Sequence, residues 1–294
     1  MVETPTITET PIRVNEFRRF VRVFFSRGVV TSGLVMILIV TIMAIFAPLL
    51  APYDPYLTSL EETLQPPSLQ HLLGTDTLGR DTLTRIIYGA RTSLMIGVVV
   101  VFSSSIIGFL LGLVAGYFGG WKYIIIMRTL DAFMAFPMIL LALVIASLLG
   151  GGILNIIIAL TVGLIPVSSR LMCGQVVSYR ENDYILAARS MGASNSRIMF
   201  RHLVPNCFPP LIVMVTMVMG EVILAEAGLS FLGVGVQAPI AAWGSMISDG
   251  RNYLLRAPML SFAPGFALMM AVFGFTMVGD GLRDALDPRL RGVI

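Results

Sequence analysis

The sequence predicts an all-α membrane protein of about six transmembrane helices, with both termini in the cytoplasm. Three observations carry this. Of 294 residues, 56% are hydrophobic and only 13% are charged, whereas soluble domains carry roughly 25% charge. Too little polar surface remains to cover a globule in water. Long uncharged runs recur along the chain, and basic residues gather between alternate runs.

A spanning helix takes about 20 apolar residues at about 1.5 Å each. Residues 28–53 hold no charge and give a first span at about 31–50, closed by Pro48 and Pro52. The uncharged run 92–121 gives a second at about 93–117. The run 132–169 has 38 residues without charge. As one helix it would be about 57 Å long, nearly twice the ~30 Å hydrocarbon layer. It must fold back, and Gly150-Gly151-Gly152 is the place, giving spans at about 132–149 and 153–169. The fifth span is expected at about 209–229 and the sixth at about 259–278.

Residues 1–30 form a cytoplasmic N-terminal segment, and 31–294 one transmembrane domain. The first 27 residues mix acids and bases, and no small-residue cleavage site follows a short apolar core. The first span is therefore expected to stay as an anchor. Phe17, Phe20, Val21 and Phe24 share one helical face, with Arg18, Arg19 and Arg22 mostly on the other. That pattern suits a helix in the inner interface; the alternative is a plain basic flank. Orientation follows from the bases. With the N-terminus inside, the inner segments hold 15 of the 20 Lys and Arg residues. The outer ones hold Arg80, Arg85, Arg91, Arg251 and Arg256.

The net charge of +3 does not point to nucleic acid. The bases are scattered and no basic stripe interleaves with aromatics. Topology explains the excess. Cys173 and Cys207 read as small buried fillers, kept reduced beside the cytoplasm.

The polar loop 181–206 carries punctuation with physical meaning. Asn182 or Asp183 can cap a helix start. Gly192 can take the left-handed conformation that ends the helix. Ser194 can cap a second short helix, which Pro205 should stop. Ala187 and Ala188 should give the first helix a flat face for close approach by another protein. Tyr184 and Met191 add apolar knobs at its ends. Connecting loops of this length without a role are uncommon, so we read it as a docking element.

Within this loop Ala187-Ala188, Gly192 and Pro205 have the spacing of the EAA motif: Glu-Ala-Ala, three residues, Gly, nine residues, Ile-x-Leu-Pro. That motif marks the membrane subunits of ATP-binding cassette (ABC) importers. Leu186, His202 and Val204 depart from it. The absent Glu puts one polar contact in doubt. Three more stretches resemble the dipeptide, oligopeptide and nickel permease group. They are His71-Leu-Leu-Gly-Thr-Asp-Thr-Leu-Gly-Arg-Asp81 with Ile87-Tyr-Gly-Ala-Arg91, Glu226-Ala-Gly-Leu-Ser-Phe-Leu-Gly-Val-Gly-Val-Gln-Ala-Pro239 with Trp243-Gly244, and the tail 279–291. The chain most resembles the C-type permease subunit.

The resemblance implies a type I ABC importer permease fold in the cytoplasmic membrane. It implies that Asp183, Tyr184, Ala187, Ala188, Arg189, Met191, Gly192 and Ala193 couple to an ATPase. It further implies a homologous second permease subunit, two ATP-binding subunits or domains and an extracytoplasmic substrate-binding protein. ATP and Mg would be used by the partner subunits and no cofactor would be bound here. A P-loop needs Gly-Lys-Ser/Thr, and the sole lysine, Lys122, follows Trp121. The chain is thus expected to be a transport subunit, not an enzyme.

Two sets of charges admit two readings each. Asp76, Arg80 and Asp81 either build an ordered turn before the second span or contact the binding protein. Glu226, with Ser230 and Gln237, either lines the route near an outer gate or ties down the glycine-rich backbone that follows. Glu221 and Glu226 must both face protein or water, since an acid in lipid is expensive; they either line the route and meet a peptide's amino terminus or serve the fold, and for Glu221 the structural reading is preferred. Asp131 and Asp280 read as interfacial; His71 and His202 are too isolated for a metal site. The expected cargo is a dipeptide or oligopeptide, with nickel, glutathione or another small solute as the alternative. An ATP-independent secondary transporter is the rival outside the class, and it leaves the 181–206 loop unexplained.

Overall fold

A computed structural model of the chain describes residues 16–286. Among these, regular structure is helical apart from one isolated bridge, Thr75 with Asp81. Five helices are long and apolar enough to cross a membrane, and a sixth crossing results if one bent pair is a single span.

Helix α1 (Glu16–Phe25) forms where an amphipathic helix is expected. Phe20 stacks on Phe24 at 5.7 Å, and Phe24 is buried with Val30 and Val278. Part of its apolar face is therefore covered by protein. The first span is α2 (Gly28–Ile45), extended by the short α3 (Ala47–Leu50) with Pro48 in its first turn. The second, α4 (Thr82–Phe118), has 37 residues, so it is about 55 Å long and begins well before residue 93. Asp81 caps it, accepting a hydrogen bond from the Thr84 backbone N–H at 2.8 Å.

The helix expected at 132–149 is not continuous. Its place is taken by α5 (Gly120–Met134) and α6 (Met138–Leu149), a pair bent by 88° that forms a broken span or a re-entrant segment. Pro137 causes the break. It has no N–H to donate and disfavours helix at the residue before it, and its backbone is extended at ψ 131°. Alone, α6 is about 18 Å long, too short to span. The glycine turn is where expected, with φ of +90°, +71° and +95° at Gly150, Gly151 and Gly152.

Helix α7 (Ile153–Tyr179) runs beyond residue 169 and carries Pro166 inside it. It crosses α4 along Gly108, Gly112 and Gly116. A Cβ at Gly112 would lie 2.4 Å from the Ser169 carbonyl oxygen, and one at Gly108 2.5 Å from Ser168 Cβ. Lipid offers no hydrophobic drive for helices to associate, so small residues that admit close packing hold such seams.

The loop helices α8 (Asp183–Ser190) and α9 (Asn195–Arg197) follow. Pro205 does not stop the second. A π-helical segment, Ile198–Leu203, carries α9 directly into α10 (Val204–Phe231). Widening the turn relocates the hydrogen bonds that Pro205 would otherwise break. The fifth span is thus the end of a continuous helical run from Asn195 to Phe231. An irregular stretch leads to α11 (Trp243–Gly250), and α12 (Met259–Leu286) closes the bundle. Trp243 is fully buried, and its Nε1 donates to the Ile86 carbonyl at 3.0 Å, which fixes α11 on α4. Tail residues 287–291 of the family-like stretch lie outside the described residues.

Candidate functional site

Residues 181–206 form two helices joined at a glycine, as expected. Asn182 takes the extended N-cap conformation, without a side-chain cap hydrogen bond. The end of α8 is closed by two backbone bonds, Gly192 N–H to the Arg189 carbonyl at 2.9 Å and Ala193 N–H to the Ala188 carbonyl at 3.0 Å. With Gly192 at φ +78°, this is a Schellman ending. Ser194 Oγ then accepts from the Arg197 N–H at 3.3 Å.

The underside of this unit is apolar. Ile185, Ile198, Leu203 and Cys207 are buried with Leu113 and Tyr117 of α4 and Met172 and Val176 of α7. Polar straps add to it. Tyr117 donates to Asn195 Oδ1 at 2.8 Å, and Arg180 Nη1 to the Gly116 carbonyl at 2.9 Å. The Arg189 guanidinium lies 5.4 Å from the Tyr117 ring centre, within cation–π range. The buried side of α8 thus shares one apolar cluster with the C-terminal ends of α4 and α7.

Its outward side presents Asp183, Tyr184, Leu186, Ala187, Arg189, Met191 and Gly192, all exposed. Ala193 is half-buried, and Ala188 departs from expectation. Only 5% of it is exposed, so it does not share a flat outer face with Ala187. Ile185 and Ala188 are three apart on one helix face, and that face is the one that packs inward.

Asp76, Arg80 and Asp81 take part in a network within the chain, as the ordered-turn reading requires. Asp76 pairs with Arg80 at 2.7 Å and lies 3.5 Å from the Arg85 guanidinium. Asp76 also accepts the Leu78 and Arg80 backbone N–H groups. Asp81 meets His71 Nδ1 at 2.9 Å. Burial outweighs the nearby Arg85 and Arg80 charges at Asp249, and its carboxyl is raised above the ordinary range. Arg85, His71 and Asp249 were not singled out as a network from sequence. The signal present was the run of charges and caps from 71 to 91.

Glu226 is fully buried. It accepts from Ser93 Oγ of α4 at 3.1 Å and from Ser230 Oγ at 2.8 Å. Ser230 Oγ in turn accepts the Val236 N–H at 3.0 Å. Glu226 and Ser230 thus tie the irregular backbone after α10 to the bundle. Gln237 is exposed beside the glycine turn, where a Cβ on Gly151 would meet its Nε2 at 2.8 Å. Asp131 is bound by Arg170 at 2.5 Å. Glu221 and Asp280 are exposed, without an ion pair among the described residues.

Residues 108–292 match the family described as binding-protein-dependent transport system inner membrane component. The chain belongs to that family. Residues 15–67 of this permease match the N-terminal transmembrane domain of oligopeptide transport permease C. The dipeptide transport system permease protein DppC of Alkalihalophilus pseudofirmus is 46% identical over 259 residues, covering 88% of this chain and 85% of its own. The glutathione transport system permease protein GsiD of Pectobacterium atrosepticum is 38% identical over 288 residues, covering 98% and 95%. Among solved structures, an inward-facing MetNI methionine ABC transporter superposes with a TM-score of 0.54 at 20% identity. It covers 69% of this chain and 96% of that one, and it supports the fold alone. The permease is an inner-membrane, multi-pass helical protein.

Proposed function

We propose that this permease forms half of the pore of an ATP-driven importer for dipeptides or oligopeptides. A homologous permease supplies the other half. Two ATP-binding subunits use ATP and Mg below the membrane, and an extracytoplasmic binding protein delivers the cargo. No cofactor is held by this chain. The observation that carries the reading is the construction of α8. It has an exposed outer side, a rigid glycine-closed end and an apolar base fixed to α4 and α7. Closure of the ATP-binding subunits would move α8 and, through it, the spans that gate the pore. Peptide cargo follows from the dipeptide permease relative; a glutathione importer is the second reading, favoured by the 38% identical relative.

The test is purification of the whole complex and measurement of which ligand stimulates ATP hydrolysis. Transport without any ATP-binding subunit would sink the reading. Gly192→Val is a sharper probe. A branched side chain at φ +78° costs about 1–3 kcal/mol of local strain, while the position itself is open. Membrane insertion should survive and hydrolysis should no longer drive uptake; normal uptake would count against α8 as the coupling element.

A further inference from the structure

Helix α10 carries two acids five positions apart, and the structure treats them oppositely. Glu226 is enclosed and hydrogen bonded to Ser93 and Ser230. Glu221 is exposed. It lies about 12 Å along the helix from residue 229 and about 18 Å from residue 209, near the middle of the span. The rotation of α10 is fixed here. A Cβ at Gly220 would lie 3.1 Å from the Val272 carbonyl oxygen of α12, and Glu226 is held against α4. Glu221 therefore cannot turn inward. A carboxylate at this depth facing hydrocarbon is costly, and such residues mark substrate paths or protein partners.

The neighbouring helix extends the same exposed surface. Thr276 Oγ1 lies 3.4 Å from the position of a Cβ on Gly220, and both Thr276 and Asp280 are exposed. Since α10 and α12 run antiparallel, Asp280 lies one turn nearer the predicted cytoplasmic end. Glu221, Thr276 and Asp280 form a polar track along one side of the α10–α12 pair, on spans otherwise apolar.

We infer that Glu221 lines the translocation route and receives the cationic amino group of the passing peptide, with Thr276 and Asp280 continuing the track inward. The inference rests on the peptide reading proposed above. A free peptide carries an ammonium group at neutral pH. An acid in a water-filled passage compensates for the hydration that group loses on leaving bulk water.

The test uses the complete importer in proteoliposomes, with a dipeptide that stimulates wild-type ATP hydrolysis. Glu221→Gln should lower dipeptide uptake roughly five- to tenfold, and Glu221→Asp should retain most of it. Glu221→Cys, made with Cys173→Ala and Cys207→Ala, should react with a membrane-impermeant cationic thiosulfonate. Saturating dipeptide should slow that labelling. Unchanged uptake in Glu221→Gln, or absence of labelling in every nucleotide state, overturns the inference. So does failure of Glu221→Gln to assemble with the second permease, the mark of an ion pair between subunits. A wild-type complex that hydrolyses ATP but moves no dipeptide overturns the peptide reading instead, and labelling then still decides whether position 221 faces water.

Discussion

The inner loop at 181–206 and the outer segment at 71–91 are both polar interruptions between greasy spans, yet they use their charges in opposite ways. Outside, Arg80, Asp81 and Arg85 are 5%, 4% and 3% exposed and are paired with neighbours in the same chain. Inside, Asp183 and Arg189 lie on the surface of a helix whose apolar side is buried beneath them. A charge committed to an internal partner stabilises the fold and is unavailable to another protein. On α8 Arg189 is engaged over the Tyr117 ring, while Asp183, Tyr184 and Met191 remain exposed on its outer side. One loop is thus built as a brace, and the other has the form that the proposed docking role requires.

The comparison breaks most severely if the seat of the ridge is removed. Gly112→Val would force a branched side chain against the Ser169 carbonyl, at a position where even a Cβ comes within 2.4 Å. The α4–α7 seam has no room to yield. We expect a loss of about 3 kcal/mol, read as a large fall in thermal midpoint of the purified permease. Gly174→Ala, where open space surrounds the site, is the control and should be neutral or stabilising. Equal effects at the two positions would show that the seam is not what seats α8.

The brace itself is probed next. Asp81→Ala removes the cap on α4 and leaves His71 without its carboxylate partner. The expected cost is about 2 kcal/mol, with Asp81→Asn recovering the cap share. Thermal unfolding measures both. If Asp81→Ala left stability unchanged and abolished stimulation by the binding protein, the outer network would be a contact surface after all.

Much of this was legible in advance, and the failures have distinct physical causes. The all-helical membrane fold and the helix–glycine–helix of the 181–206 loop follow from hydropathy and capping chemistry, which are local. Pro205 was misread because a proline stops a helix only if the turn before it keeps its pitch, and the π segment Ile198–Leu203 does not. The break at Pro137 lies inside the uncharged run 132–169, where the sequence reading places the turn at Gly150–Gly152 and takes 132–149 as one helix. Ala188 was placed on the wrong face although Ile185, three residues earlier, shares its side of α8 and is fully buried. Glu226 was open between two roles because Ser93, its partner on α4, is 133 positions away. Glu226 required a neighbour distant in sequence and Pro205 a change of helical pitch, whereas the signals at Ala188 and Pro137 were local.

The smallest expected effect on the fold is the most informative about the ridge. Met191 closes α8 and is 82% exposed, the side chain of an unbranched apolar residue held out into solvent. Nothing in this chain packs on it closely enough for truncation to matter. Met191→Ala should therefore change stability by less than about 0.5 kcal/mol. Yet an adaptable apolar knob on a fixed helix end suits a cleft on a partner, and interface energy concentrates in a few such anchors. Peptide-stimulated ATP hydrolysis by the complex should then fall roughly tenfold, while the thermal midpoint of the permease stays put. A variant that hydrolyses normally would move the contact to Tyr184 or Arg189. One that loses stability would mean that Met191 is held by the permease itself, and the contrast between ridge and brace would weaken at its most exposed point.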